Sequence, residues 1–480
     1  MDKSVGKRGG WSRRGFAAGV AAGAAGTWAL TSLPRRCFQD PDRPPWISEF
    51  FLDNFWFHSI DLYHQPINAP LTSSIKSDIA IIGGGFTGLA SAYHLRQEFP
   101  DKRIVLLESA YCGYGASGRN GGQAIPMHPI GFSVFKEKGA EAAKKFYDLN
   151  SQGLSLIKEL VRKHGVSCDL EESGIMMLAN SEPDLAGMER SDQAARAMGI
   201  NSRLLDRKEI QREIKSERYH GALSLPYGAI INPAKLARGM KRVVESMGVE
   251  VFERTRVISV DPGPTVRINT EEGEVSAPML VLAANGYSAR LGFFKNRFLP
   301  LCDYVIATEP LSPERLASIG WSGRQMLWDS RVEFDYFRLT ADNRIVFGGE
   351  LAPYFYGGKL SSGNYKPSLR MLEQGLFTTF PQLAGLKITH QWGGTMAFTL
   401  DQAPFMGVTG PHKNVFYSMG YSGEGVVLSH LGGKIISQLC AGHDTDLTRL
   451  PFVNRRVLPI PPEPARYVSV RLYKKLLNWF

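Results

Sequence analysis

The chain has 480 residues, 43% hydrophobic and 21% charged, with 50 glycines and 28 prolines, a composition that supports a large folded core and excludes a collagen-like fibre, a coiled coil and a disordered tail protein. Its formal net charge is +10, but residues 1–36 hold +6 and residues 455–480 hold +5, so the 418 residues between carry −1 and lack the basic body that a nucleic-acid binder needs. Five cysteines (Cys37, Cys112, Cys168, Cys302 and Cys440) lie far apart without a C-x-x-C or Cys/His cluster, which speaks against a zinc site, any other metal centre or a dense disulfide scaffold.

Ser12, Arg13, Arg14, Gly15 and Phe16 resemble the twin-arginine export motif, behind a basic start and ahead of an Ala- and Gly-rich apolar run over residues 16–33. The run has 18 residues, borderline for a membrane span, and its small side chains make a weak anchor. No clear Ala-x-Ala site follows, so removal and retention both stay open. The resemblance implies a bacterial protein exported by the twin-arginine route, periplasmic or membrane-associated. Residues 37–74 read as an extension before the first domain.

Residues 78–82 form a short apolar, β-branched run that predicts a buried parallel strand. Gly83, Gly84, Gly85, Phe86, Thr87 and Gly88 follow at once, then a helix over residues 89–97 and a second strand over 103–107 that ends at Glu108. This is a complete strand, G-x-G-x-x-G turn, helix, strand and acid unit. Gly83 permits the tight turn, Gly85 lets backbone approach a pyrophosphate, and Gly88 lets helix and strand pack closely. The helix N-terminus offers N–H groups and a positive dipole end to phosphates. Glu108, 25 residues after Gly83, can accept from ribose hydroxyls.

After Glu108 comes a loop of small residues, 109–123, with Ser109, Ser117, Arg119, Asn120, Gly121 and Gly122. Such a loop can run along an extended ligand and offer it backbone N–H groups. With this loop the sequence resembles the D-amino-acid-oxidase-like superfamily of FAD enzymes, and residues 115–123 resemble its γ-glutamylputrescine-oxidase-like and glycine-oxidase-like branch. The resemblance spans residues 75–442. It implies FAD as cofactor and an α/β fold: a discontinuous Rossmann-type FAD-binding domain (residues 75–129, 219–299 and 391–445) and an α+β substrate domain with a mainly antiparallel sheet (130–218 and 300–390).

Along the chain, residues 140–163 predict an amphipathic helix and 174–179 a strand. Asn232 and Pro233 open a further helix, and residues 249–261 predict one strand, in which the resemblance places Val257 against the adenine. Residues 279–286 read as a buried strand, with Ala284 and Gly286 passing near the cofactor in the family. Strands are predicted over 302–308, 334–339 and 344–349, with Ala341, Asp342 and Asn343 as turn. Tyr304, Tyr336, Phe398 and Tyr421 are candidate pocket-wall aromatics, each equally readable as core; Arg338 is a candidate anion partner or a solvated strand-edge arginine. His94 reads as core, and no catalytic triad is visible.

Met396 stands where glycine oxidases carry the arginine that pairs with a substrate carboxylate, a pairing hard to replace. Gly394 stands near the cysteine that bonds flavin in monomeric sarcosine oxidases, and residues 115–123 lack the histidine used by other relatives, so FAD is expected to be non-covalent. Gly423, Glu424, Gly425 and Val426 open a helix over residues 427–440 whose positive end would face the flavin. Residues 446–480 form a basic tail with Val470, Tyr473, Leu477 and Phe480 at helical spacing; it could pack on the body or lie on an anionic membrane.

The expected function is hydride transfer to flavin from the carbon next to nitrogen of an amine or amino compound, giving an imine that hydrolyses. Oxygen or a membrane electron carrier would reoxidise the flavin. A glycine- or D-amino-acid-type oxidase and a flavoprotein electron carrier without amine chemistry are the alternatives.

Overall fold

The computed structural model describes residues 54–60, 67–126, 130–349, 352–360 and 365–477. The twin-arginine motif, the apolar run after it, Cys37 and Phe480 lie outside the described residues. Among the described residues no helix is long and apolar enough to cross a membrane.

A six-stranded sheet runs in the order Phe405–Thr409, Val415–Met419, Met279–Leu282, Ile79–Ile82, Ile104–Leu107, Glu250–Phe252, parallel throughout except for its antiparallel first edge. Every residue of Ile79–Ile82 and Ile104–Leu107 is buried because both faces are covered. Successive side chains divide between the two faces. Ile79 and Ile81 join the core under the helices Phe86–Glu98, Pro233–Ser246 and Gly425–Cys440. Ala80 and Ile82 join the core under a four-stranded sheet of Ser74–Lys76, Glu274–Ala277, Val266–Thr270 and Val257–Asp261. The first helix begins at Phe86, three residues before the expected start, with Gly85 as its N-cap.

The second body is an eight-stranded sheet: Ile388–Phe398, Leu299–Thr308, Ile345–Gly349, Asp335–Leu339, Met326–Asp329, Ile175–Ala179, Gly221–Leu225, Arg203–Leu205. All its pairings are antiparallel except Met326–Asp329 with Ile175–Ala179. Lys366–Thr379 packs on one face, and Cys302, Tyr304, Ile306, Phe337, Leu339 and Phe347 enter that core.

Three expectations need correction. Residues 249–261 are two strands in two sheets, Glu250–Phe252 and Val257–Asp261. The break follows from Glu253, which turns inward to a buried ion cluster, and Arg254, which takes a φ of 52° to leave it. Gly221–Leu225 lies in the eight-stranded sheet although residues from 219 on were assigned to the FAD domain; it pairs with Ile175–Ala179. Likewise Ile388–Phe398 is an edge of the large sheet, held along Leu299–Thr308, although residues from 391 on were assigned to the FAD domain. The helix expected from residue 140 begins there: the run Ile130–His164 is broken by the non-helical backbone of Gly139, which sets a preceding helical stretch apart from it.

The C-terminal helix Ala465–Leu477 packs on the body through Val470, which joins Leu299, Tyr354 and Ile460, while Leu472 and Leu476 stay exposed.

Candidate functional site

A cavity of about 1370 Å³ lies where the two bodies meet. It begins at the carboxyl ends of Ile79–Ile82 and Ile104–Leu107, the place where open parallel sheets bind ligands. Gly83 turns there with a φ of 109°, and a Cβ would sit 2.6 Å from the Ala283 carbonyl oxygen. A Cβ on Gly88 would overlap the Gly83 carbonyl, so the helix can sit this close to the strand only without a side chain. Ser117 Oγ accepts the Phe86 N–H at 2.8 Å and closes the loop over the helix start. Glu108 braces the same turn: its Oε2 accepts the Gly84 N–H at 2.7 Å and its Oε1 the Ala110 N–H at 2.9 Å. Burial raises the Glu108 pKa, and those hydrogen bonds oppose the rise. Ser109 and Val257 line the same end of the cavity.

The loop then passes Arg119, Asn120 and Gly121 along the cavity. Arg119 is buried, with Nε donating to the Tyr114 carbonyl at 2.8 Å and Nη1 to Gly393 at 3.1 Å across the domain junction. Residues 54–57, which sequence reading left as an unremarkable extension, hold the loop from outside. Asn54 Nδ2 donates to Gly118 O at 3.1 Å and Trp56 Nε1 to Asn120 O at 2.8 Å. Their one visible signal is the aromatic run Phe55, Trp56 and Phe57, all buried.

Opposite, Gly423, Glu424, Gly425 and Val426 line the cavity at the start of Gly425–Cys440. Tyr421 Oη lies 2.8 Å from Thr87 Oγ1 and 2.7 Å from Ser418 Oγ, so it ties the start of the helix Phe86–Glu98 to the strand Val415–Met419. Burial pushes Tyr421 up to about 12 and Glu424 up to about 7. Ala284, Gly394, Met396 and Phe398 also line the cavity.

Several expected site residues do not line it. Tyr304 is buried in the core beneath the large sheet, because it points to the face opposite its neighbour Asp303. Arg338 is neither an anion partner nor a solvated edge residue. It is 2% exposed, donates to Gly121 O at 2.8 Å and Ile231 O at 2.7 Å, and stacks over Trp56 at 4.8 Å. Burial pulls its pKa down to about 9, so it stays charged at neutral pH while fixing the loop. Gly122 lies against Arg338 and Ile231, and Gly286 lies nearest Thr395 and Leu360; each is adjacent to a lining residue, Gly121 and Asn285. His94 is half-buried rather than core, bonded to Gln97. Asp303, which sequence reading passed over, lines the cavity and accepts a 2.6 Å hydrogen bond from Tyr336 Oη.

The donor set fits a dinucleotide. The first turn of a helix leaves N–H groups without partners in the helix, and here two such ends and a glycine turn without room for side chains face one elongated cavity. Its lining contains neither a thiol nor an imidazole, the groups considered above for a covalent flavin bond.

Comparison with known proteins agrees. The sequence pattern described as FAD dependent oxidoreductase (DAO) matches residues 78–439. γ-Glutamylputrescine oxidoreductase of Escherichia coli (strain K12) is 33% identical over 415 residues, covering 84% of this chain and 94% of that protein. Glycine oxidase of Geobacillus kaustophilus (strain HTA426) is 22% identical over 389 residues, 78% of this chain and 96% of that one. Among solved structures, glycine oxidase from Geobacillus kaustophilus superposes with a TM-score of 0.67 at 20% identity, over 80% of this chain and 99% of that chain. L-Proline dehydrogenase from P. horikoshii gives 0.65 at 19% identity, over 78% and 96%. The chain belongs to the DAO family of FAD dependent oxidoreductases and uses non-covalent FAD.

Proposed function

We propose that this protein oxidises the C–N bond of a small amine or amino compound. The observation that carries the reading is the cavity itself: the nucleotide groove at Gly83 continues past Gly394 into a lobe walled by Tyr227, Trp328, Tyr336, Met396 and Phe398. FAD supplies a hydride acceptor when bound there. The chain's part is to orient the substrate carbon, exclude water and accept hydrogen bonds from nitrogen. Met396 presents a thioether where a carboxylate clamp would need a guanidinium, which favours an amine, or a longer amino compound gripped elsewhere, over glycine. The printed activities of the relatives, a γ-glutamylputrescine oxidoreductase and a glycine oxidase, support an amino compound as donor.

Oxygen or a membrane electron carrier takes the electrons onward. Export through the twin-arginine motif would place the enzyme in the periplasm or on the membrane, where the exposed basic residues of the C-terminal helix, Arg471 and Lys475, offer peripheral contact with anionic lipid. An anaerobic panel of amines and amino acids, read at the flavin band, tests the reaction. Bleaching by amines is expected; bleaching by none would leave a flavoprotein electron carrier, and bleaching by glycine or D-amino acids alone would move carboxylate recognition to another residue.

A further inference from the structure

The lobe beyond Gly394 contains a carboxylate with no task in the account so far. Asp303 sits on Leu299–Thr308, directly opposite Gly394 on the neighbouring strand. Its neighbours Cys302 and Tyr304 turn into the core on the far face, so the partial exposure that Asp303 keeps is toward the cavity it lines. Tyr336 Oη donates to Oδ2 at 2.6 Å, and the Tyr304 N–H donates to Oδ1 at 3.0 Å. The Tyr336 ring is fixed in turn, because a Cβ on Gly121 would come within 2.6 Å of it and one on Gly348 would overlap it. Leu301, Trp328, Met396 and Phe398 supply apolar wall around the pair.

Among the described residues no lysine or arginine forms an ion pair with Asp303, whereas Glu253, Asp329 and Asp335 each have one. A carboxylate in such a place is costly unless a cation completes it. We propose that Asp303, oriented by Tyr336, binds the substrate's ammonium group and takes its proton, so that the substrates are alkyl amines that arrive as cations and lay their carbon chain on the apolar walls. In that step one N–H bond breaks and one Asp303 O–H bond forms; the nitrogen keeps the electron pair and becomes the neutral amine from which hydride can leave. Asp303 touches substrate, and Tyr336 is a positioning residue. The inference rests on the amine-oxidation reading above and names its substrate class.

Burial pushes Asp303 up to about 6, with the Tyr336 and Tyr304 hydrogen bonds opposing the rise. The other charged side chains lining the cavity are Glu108, Arg119, Arg256, Glu271, Arg290, Asp329, Arg331, Glu333, Asp401, Glu424 and Lys474; Tyr114, Tyr227, Tyr287, Tyr421 and Tyr473 line it as well. None of these is among the causes that set the Asp303 pKa. Alkylammonium groups titrate near about 10, as lysine does. Asp303 is therefore charged above about pH 6, and ammonium binding weakens as pH falls through that value.

The test uses the FAD-loaded enzyme and tert-butylamine, which has no hydrogen on the carbon next to nitrogen and cannot be oxidised. Binding is read by calorimetry and by the flavin difference spectrum. At pH 8 Asp303→Asn should weaken binding by about 10- to 100-fold, the range for a hydrogen bond to a charged group, and Asp303→Glu should restore part of it. Wild-type binding should weaken as pH falls below about 6, and the Asp303→Asn enzyme should show no such dependence. Tyr336→Phe keeps the carboxylate but removes a hydrogen bond to its charged form, so the acid midpoint should rise by about one unit; this variant also decides the matter if Asp303→Asn does not fold. Equal affinity in wild type and Asp303→Asn, or an unmoved midpoint in Tyr336→Phe, overturns the proposal. If tert-butylamine binds through Asp303 while no amine bleaches the flavin, the subsite stands and the amine-oxidation reading falls. If amines bleach both enzymes with equal KM, the subsite falls and the reaction stands.

Discussion

At the scale of single residues, the buried charges behind the nucleotide groove set the shape of its wall. Glu253 is fully buried; it lies 2.6 Å from Arg238 Nη1 and 3.1 Å from Lys241 Nζ, and accepts the backbone N–H groups of Cys112 at 2.7 Å and Asn68 at 2.9 Å. Burial alone would push its pKa up, but Arg238, the two N–H groups and Lys241 together hold it below the usual carboxylate range. A depressed pKa means stability that is present above the unfolded-state value and lost as pH falls through the folded-state value. Glu253→Gln removes the buried carboxylate that faces Arg238 and Lys241, leaving Lys241 with Glu245, so denaturant unfolding at pH 7 should show a loss of about 3–5 kcal/mol. The gap should narrow only as pH falls below the usual carboxylate range and through the depressed folded-state value of the wild-type carboxylate. An unchanged midpoint at pH 7 would contradict this role. The same scale shows why Asp303 was missed and Tyr304 chosen in its place. A period of two was visible over residues 302–308, but its phase was not. Phase is set by what covers each face, here the helix Lys366–Thr379 below and the loop around Gly121 above, and both are distant in sequence.

At the scale of elements, legibility followed sequence distance. The strand, glycine turn, helix, strand and acid lie within residues 78–108, and each signal is local, so the turn and the elements on either side of it were readable. The clamp on the next loop was not, because Asn54 and Trp56 reach partners 64 residues away. Arg338 was misread for a similar reason: Asp335–Leu339 is an interior strand, and the arginine's partners, Gly121 and Ile231, come from two other elements. Trp56 supports both the loop, through Asn120, and the Arg338 guanidinium stacked on it. Trp56→Ala should therefore leave the two sheets folded yet loosen the loop. Reconstitution of the apoprotein should need about 10-fold more FAD, on the order of one lost hydrogen bond and one stacking contact, measured by flavin fluorescence quenching. Undiminished FAD affinity in that variant would show that the loop needs no support from residues 54–57.

At the scale of the whole molecule, two bodies divide the labour. The layered α/β body carries the nucleotide turn on its parallel sheet, and the eight-stranded sheet carries the lobe with Asp303, Tyr336, Met396 and Phe398. The family resemblance implied a mixed fold with a parallel and a mainly antiparallel sheet, but did not show which strands belong to which. Gly221–Leu225 and Ile388–Phe398 joined the larger sheet through pairing with remote strands, which a single sequence does not display. The C-terminal helix adds a last piece of wall: Val470, Tyr473 and Lys474 line the cavity, and Lys474 donates to Ala352 O at 3.1 Å. Burial pulls Lys474 down to about 8, with Glu333 opposing the fall.

The central claim is that the cavity running from the Gly83 turn to the Asp303 lobe holds FAD without a covalent bond. The purified protein can be precipitated with acid, filtered, and the filtrate analysed for flavin by chromatography. The account predicts yellow protein and a stoichiometric release of FAD into the filtrate. A colourless protein that takes up no FAD on reconstitution, or a flavin that stays with the precipitated chain, would contradict it.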